Sequence, residues 1–372
     1  MENKRDLPYW VAFNSVPGIG SQRFRLLERR FGTLEAAWQA SGDELKRAGL
    51  DEGTISTLLA RRPTISPEGE LERLERAGVQ VLTWHDAGYP PRLKEIYDPP
   101  PVFYIKGRLL LEDERSVTLV GTRRATAYGR EATAALAGDL ARSGVTIVSG
   151  LARGIDAVAH RAALQSGGRT IAVLASGLDI IYPPEHRDLA QEIEARGALV
   201  SELPLGVRPQ AQQFPRRNRI MSGMTLGVLV IEAGQVSGAL WTVRHALEQN
   251  REVFCVPGSI FSPASRGTNA LIQEGAKLVM SHTDVLEELN LTTVAHQMEL
   301  RAVAPPENGN EALLLQHLSH EPLHIDEVRR RSGLPIAVVS STLAMLELKG
   351  LARQVGAMHY IRAREVAADY AP

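Results

Sequence analysis

Between about residue 115 and residue 285 short apolar runs recur: SVTLVG, VTIVSG, RTIAVLASG, GALVSELP, LGVLVIEA, EVFCVPG and AKLVM. Stretches of helical period separate them. The runs are apolar on both faces and rich in β-branched residues, as strands covered by helices on both sides must be. They predict an α/β fold with a Rossmann-like, doubly wound, mainly parallel sheet. Residues from about 8 to 75 instead alternate helical patterns with glycine turns, among them Val16-Pro17-Gly18-Ile19-Gly20 followed by FRLLERRFGTLEAAW. That pattern fits a helix-hairpin-helix, whose glycine turn offers amides to a DNA phosphate without reading sequence. It fits equally a small helical bundle of the sterile-alpha-motif kind that docks proteins.

A proline-dense passage, Tyr89-Pro90-Pro91 through Asp98-Pro99-Pro100-Pro101, leads into VFYIKG. Proline lacks the amide donor a helix needs, so the passage predicts a non-helical strap or an extension of the sheet domain. Beyond the sheet region, Pro305-Pro306-Glu307-Asn308-Gly309-Asn310 reads as a linker. The segments EALLLQHLSH, IDEVRRRSG and PIAVVSSTLAMLELKGLARQVGAMHYIR then predict three helices and a hairpin, resembling a winged helix. Its third helix carries only Lys349 near its end, which favours protein docking over reading a duplex groove. The expected division is a helical domain at 1–80, an extended Rossmann-like domain at 81–290, a linker at 291–310 and a winged helix at 311–372.

Composition narrows the classes. The 372 residues hold 42 basic and 43 acidic side chains, so any polyanion must be met by a local patch. The single cysteine, Cys255 in EVFCV, excludes internal disulfides and reads as core packing. No apolar run is long enough for a membrane span, and MENKRDLPYW is no signal peptide, so a soluble cytoplasmic chain without membrane partners is expected.

Two turns carry the chemistry. Gly121-Thr122-Arg123-Arg124-Ala125-Thr126 and Gly150-Leu151-Ala152-Arg153-Gly154-Ile155-Asp156 each close a predicted strand and open a predicted helix. Glycine lets the first amides of the helix face a phosphate, the helix dipole favours negative charge there, and arginine adds a bidentate clamp. Side by side at the carboxyl edge of one sheet, they predict a ligand of more than one phosphate. Gly121 has no second glycine two residues on, and no acid is placed for a ribose, so neither a nicotinamide nor a flavin cofactor is expected.

A third cluster, Phe214-Pro215-Arg216-Arg217-Asn218-Arg219, combines cationic donors, an amide and an aromatic ring. It suits a single strand whose bases are unstacked. The alternative is that Arg217 and Arg219 pair with core acids such as Glu232 or Glu202 while Phe214 is core. Asp156 and His160 stand four apart, but no third metal ligand accompanies them. They read as a capping aspartate and a helix-surface histidine, and no metal is expected. Glu232, without a nucleophile or base beside it, reads as an anchor for the Ser237 loop, and no catalytic residue is expected.

Taken in order, VGTRRAT, SGLARGIDAVAH, LASGLDIIYPPEH, SELPLG, FPRRNRIMSG, EAGQVSGALWT and VFCVPGSIFSPASRGTNALIQEGA resemble the DNA-processing family DprA, also called Smf, from about Tyr89 to Met280. The resemblance implies a bacterial protein that binds single-stranded DNA without sequence preference and dimerises through its Rossmann-like domain. It further implies loading of the recombinase RecA onto strands covered by single-strand-binding protein during natural transformation. By motif position, Arg123, Gly150 to Gly154, Phe214 and Arg216 to Arg219 would line the DNA pocket. Two family lysines are missing, with Ala211 at one position and Pro184-Glu185 at the other, so contacts assigned to them do not transfer.

Two alternatives belong to other classes. A related sheet occurs in enzymes that cleave ribosyl-base bonds of nucleoside monophosphates, where Glu232 or Asp156 would be the acid. Against it, no PGGxGTxxE-like stretch is present, and the arginines exceed what one phosphate needs. The other alternative is an adaptor whose helical ends dock partners.

Overall fold

A computed structural model describes residues 2–292, 309–319, 322–348, 351–355 and 358–362. Its centre is a nine-stranded sheet. At one edge β1 (Gln80–Thr83) and β2 (Val102–Gly107) pair antiparallel, and β2 is antiparallel to the next strand too. The rest run parallel: β6 (Ala198–Ser201), β5 (Thr170–Val173), β4 (Thr146–Ser149), β3 (Ser116–Val120), β7 (Gly227–Val230), β8 (Glu252–Cys255) and β9 (Lys277–Leu278). Every residue of β3 to β7 is buried, as the unbroken apolar runs require. Cys255 lies inside, and burial pushes its thiol up to about 12.

The chain leaves β3 through α8 (Ala127–Arg142), β4, α9 (Ile155–Gln165), β5 and α10 (Arg187–Arg196), building outward to β6. It returns through α11 (Gln213–Met224) to lay β7 on the other flank of β3, then continues through α12 (Ala239–Glu248), β8 and α13 (Arg266–Gln273) to β9 and α14 (His282–Glu288). Strand order therefore reverses between β3 and β7, and the loops above their carboxyl ends splay apart there. Open sheets of this type bind ligands in that crevice.

Six helices precede the sheet: α1 (Glu2–Asn14), α2 (Ser21–Phe31), α3 (Leu34–Gln39), α4 (Gly42–Arg47), α5 (Glu52–Arg61) and α6 (Pro67–Arg76). Side chains of Thr33, Ser41, Asp51 and Ser66 cap four of them, each accepting from a first-turn amide. Their core is aromatic, with Trp10 stacked on Phe24 at 5.3 Å and Phe13 edge-on to Trp38 at 5.0 Å. Trp84, just after β1, meets Trp10 at 5.5 Å, and Asn14 donates to the Tyr104 hydroxyl of β2 and to the Glu202 carbonyl. Helices and sheet thus share one core, and Met1–Leu291 forms one compact unit.

The proline-dense strap differs from its expectation, because α7 (Pro91–Lys94) is a single helical turn. Pro91 stands at its first position, where the missing amide would have had no partner in any case. The remainder turns at Glu95 and bends through residues 96–98 before it enters β2.

The second unit, Thr292–Pro372, contains α15 (Gly309–His317), β10 (Leu323–His324), α16 (Ile325–Ser332), α17 (Ile336–Leu348), β11 (Ala352–Gln354) and β12 (His359–Arg362). Leu314, Val328, Val339, Leu343 and Leu346 fill its core beneath a three-stranded sheet of order β10-β12-β11, the helices-plus-hairpin arrangement of a winged helix. Lys349 and most of the expected linker, including Pro305 to Asn308, lie outside the described residues.

Candidate nucleic-acid interface

The first turn leaves β3 at Gly121, where a Cβ would meet the Ile155 side chain and the Glu232 carbonyl. Thr122 N donates to that carbonyl at 2.8 Å, and Thr122 Oγ1 accepts from Arg124 N at 3.2 Å. Thr126 caps α8 by accepting from Gly129 N at 3.1 Å. It also gives its hydroxyl and its amide to the two Glu232 carboxylate oxygens, at 2.6 and 3.0 Å. Glu232 thus reaches from the end of β7 across the switch point and pins the first turn. The expected anchoring of the Ser237 loop is corrected: helix α8 starts over the end of β7, so its cap lies within reach of the carboxylate.

The second turn is organised around Asp156, which accepts from Gly150 N at 3.2 Å and Ala152 N at 3.3 Å. Burial raises this carboxyl, opposed by the Arg217 guanidinium and the two amides. Leu151 takes φ 57, an uncommon value for a side-chain-bearing residue, and its carbonyl meets Nδ1 of the buried His186 at 2.9 Å. Gly154, the N-cap of α9, has φ 78, and a Cβ there would strike the backbone of Thr122 and Arg123. The two turns therefore touch. His160 is not on the helix surface as expected. It is fully buried, Nδ1 faces Thr170 Oγ1 at 2.7 Å, and burial holds its imidazole down at about 3. Among the described residues no metal-holding cluster is present.

The third cluster lies on α11, so its residues point about 100° apart. Arg216 is exposed and Phe214 half-buried, whereas Arg217, Asn218 and Arg219 are buried. The Arg217 guanidinium occupies the space where a Cβ on Gly150 would be, and its Nη1 donates to the Val173 carbonyl at 2.5 Å. Burial lowers this group to about 10, offset in part by Asp156. Arg219 meets Glu202 at 2.7 Å and Asp98 at 3.2 Å. The core-pairing alternative thus describes Arg219. Arg217 sits by Asp156 instead of Glu232.

Between the starts of α8 and α9 lies a cleft of about 360 Å³ lined by five arginines, Arg123, Arg124, Arg130, Arg153 and Arg161, together with Gly154 and His186; no carboxylate lines it. Arg153 is drawn toward Glu185 just outside, Nε to Oε1 at 2.5 Å. Arg123 joins the cleft to the third cluster, its guanidinium lying 5.2 Å from the centre of the Phe214 ring. Tyr182 stands edge-on to that ring at 5.9 Å. Arg130, Arg161 and His186 line the cleft and Tyr182 the aromatic pair, although none of them belongs to the three clusters that mark the site in the sequence. Arg161 falls seven residues after Gly154, two helical turns on, and that spacing was a readable signal. Two helix N-termini and five guanidiniums around one concavity attract phosphates, and a partly open aromatic pair beside them offers a face to a base.

The family model described as DNA recombination-mediator protein A matches residues 80–290, and one described as DprA winged helix domain matches residues 298–358. Protein Smf of Synechocystis is 36% identical over 390 residues, covering 95% of this chain and 98% of its own. Protein Smf of Escherichia coli is 40% identical over 357 residues, with 93% of each chain covered. Among solved structures, DNA processing protein A of Streptococcus pneumoniae superposes with a TM-score of 0.64 at 37% identity, over 77% of this chain and 96% of its own. DNA processing protein A of Helicobacter pylori, whose structure concerns its single-stranded DNA binding mode, gives 0.52 at 31% identity, over 57% and 95%.

Proposed function

The chain belongs to the DNA recombination-mediator protein A family, DprA or Smf, and we propose on that premise that it is a non-enzymatic single-stranded DNA-binding recombination mediator. The observation that carries this reading is the five-arginine cleft running through Arg123 into the Phe214–Tyr182 pair. Phosphates of the strand lie on the two glycine turns, against Arg123, Arg124 and Arg153 and the amides of Gly150 to Gly154. A base rests against Phe214, with Arg216 at the rim. Gly121, Thr122, Thr126, Arg217, Asn218 and Arg219 serve the same site by shaping it. Glu232 and Asp156 support a binding role, since each commits its carboxylate to holding a turn. In the cell the protein protects incoming DNA, acts as a homodimer through its Rossmann-like domain, and loads RecA onto strands covered by single-strand-binding protein. These steps serve natural transformation and repair in the cytoplasm.

The test is fluorescence anisotropy with labelled oligo-dT and a matched duplex over a range of salt. Single-strand preference is expected, with a steep salt slope because neutralised phosphates release counterions. Arg123→Ala and Arg153→Ala should each shrink that slope by about one. A slope unchanged in both variants, or a preference for duplex, overturns the assignment. Release of free base from nucleoside monophosphates would turn it toward a hydrolase.

A further inference from the structure

Past the switch point the same carboxyl edge of the sheet carries a second exposed surface. The loops after β7 (residues 231–238) and β8 (residues 256–265) adjoin: a Cβ on Gly234 would lie 3.4 Å from the Pro263 carbonyl, and Gly267 N, in the first turn of α13 that follows the second loop, donates to the Ala233 carbonyl at 2.7 Å. Their tips are bare and apolar, with Val236 100%, Phe261 87% and Ile260 77% exposed. Trp241, in the first turn of α12, is half exposed and has the Arg244 guanidinium 5.0 Å from its ring centre. Segments 233–247 and 253–273 contain no aspartate or glutamate, while Arg244 and Arg266 are exposed.

Apolar residues that open to water usually mark a contact surface. Here the charge identifies the occupant, because the loop tips and the helix starts beside them bear Arg244 and Arg266 and no carboxylate, the exposed Glu248 and Glu274 coming only at the far ends of α12 and α13, which suits a polyanion with flat apolar groups. Continuity points the same way. Tyr128, in the first turn of α8 next to the arginine cleft, donates its hydroxyl to the Pro257 carbonyl of the β8 loop at 2.7 Å. One edge therefore runs from the cleft to these tips.

We propose that this surface is a second single-strand subsite, where Phe261, Ile260 and Val236 pack against unpaired bases and Arg244 and Arg266 meet the backbone. The proposal rests on the reading of the arginine cleft as the first subsite. From β4 to β8 is three strand spacings, about 14 Å. At about 3.4 Å per stacked nucleotide, a strand held in the cleft needs about four more nucleotides to arrive.

Oligomer length therefore separates the two subsites. Full-length protein and its Phe261→Ala and Val236→Glu variants are titrated with oligo-dT of about 4 nucleotides, enough to occupy the cleft alone, and of about 20, enough to span both subsites. Both variants should weaken the longer oligomer about five-fold or more and leave the shorter one unchanged. Unchanged affinity at both lengths overturns the subsite and leaves the surface to a protein partner. Equal weakening at both lengths also overturns it, since the residues would then serve the cleft or the fold. Wild-type protein binding neither oligomer would overturn the reading of the cleft itself, and the second subsite with it.

Discussion

Neighbouring arginines in this chain have opposite fates. Arg216 is exposed and Arg217 is 5% exposed, one helical step apart. The sequence shows that cationic donors are concentrated here, but which of them faces outward depends on where α11 meets the ends of β4 and β5. Glu185 pairs with Arg153 at 2.5 Å and would compete with a phosphate for the same guanidinium. Exposed pairs contribute little, so Glu185→Gln should tighten oligo-dT binding only about two- to five-fold, with the change visible at low salt. Weaker binding in this variant would mean that Glu185 orients Arg153 instead of competing for it.

His160 gives a residue-scale prediction in pH. The Thr170 hydroxyl donates to the Ile147 carbonyl, so it accepts from His160 Nδ1; Nε2 of the buried ring then carries no proton and has no hydrogen-bond partner among the described residues. Burial puts the folded-state value at about 3, against 6.5 for an unperturbed histidine. Between those values the unfolded chain binds the extra proton. The stabilisation is complete above 6.5 and is lost as pH falls toward 3, by up to about 1.4 kcal/mol per pH unit. Urea midpoints measured from pH 7 to pH 4 should fall accordingly, and His160→Asn should flatten the slope. An identical slope in the variant would refute the assignment.

At the scale of elements, the β3 to β8 strands and the two glycine turns were legible because buried parallel strands leave long apolar runs and glycine marks the turns. Glu232 was harder to place. Its partner Thr126 lies 106 residues away in sequence and is brought near only by the reversal of strand order. The turns themselves are held by backbone shape. Gly154, at φ 78 and ψ −128, occupies a region open essentially to glycine, and its missing Cβ lets the first turn touch the second. Gly154→Ala should therefore cost roughly 1 to 3 kcal/mol in strain and contact. It should also weaken oligo-dT binding, since the amides before α9 would shift. Equilibrium unfolding and anisotropy on the same variant check both parts, and wild-type values in both would show that the turn tolerates a side chain.

For the molecule as a whole, the helical start, the sheet and the winged helix are all visible as changes of hydrophobic period, but the sharing of core between the first two is not. The strand β1 is short and begins at Gln80, where the sequence suggests a domain edge, and Trp84 beyond it packs on Trp10 of α1. A fragment starting at residue 85 loses an edge strand, bares the backbone edge of β2 that β1 covers, and removes α1 from the Tyr104 side chain. A fragment of residues 1–291 keeps that core intact. The longer fragment should melt in one cooperative transition by circular dichroism and retain the single-strand preference of the full chain, whereas residues 85–290 should melt lower or aggregate. Helix α17 has no basic side chain from Ile336 to Leu348 and exposes Ile336 and Met345, a poor surface for phosphates. Removing the winged helix should thus leave oligo-dT affinity within about two-fold and the salt slope unchanged, because the counterions released are those of the arginine cleft. A large loss of slope in residues 1–291 would move part of the DNA path onto the second unit.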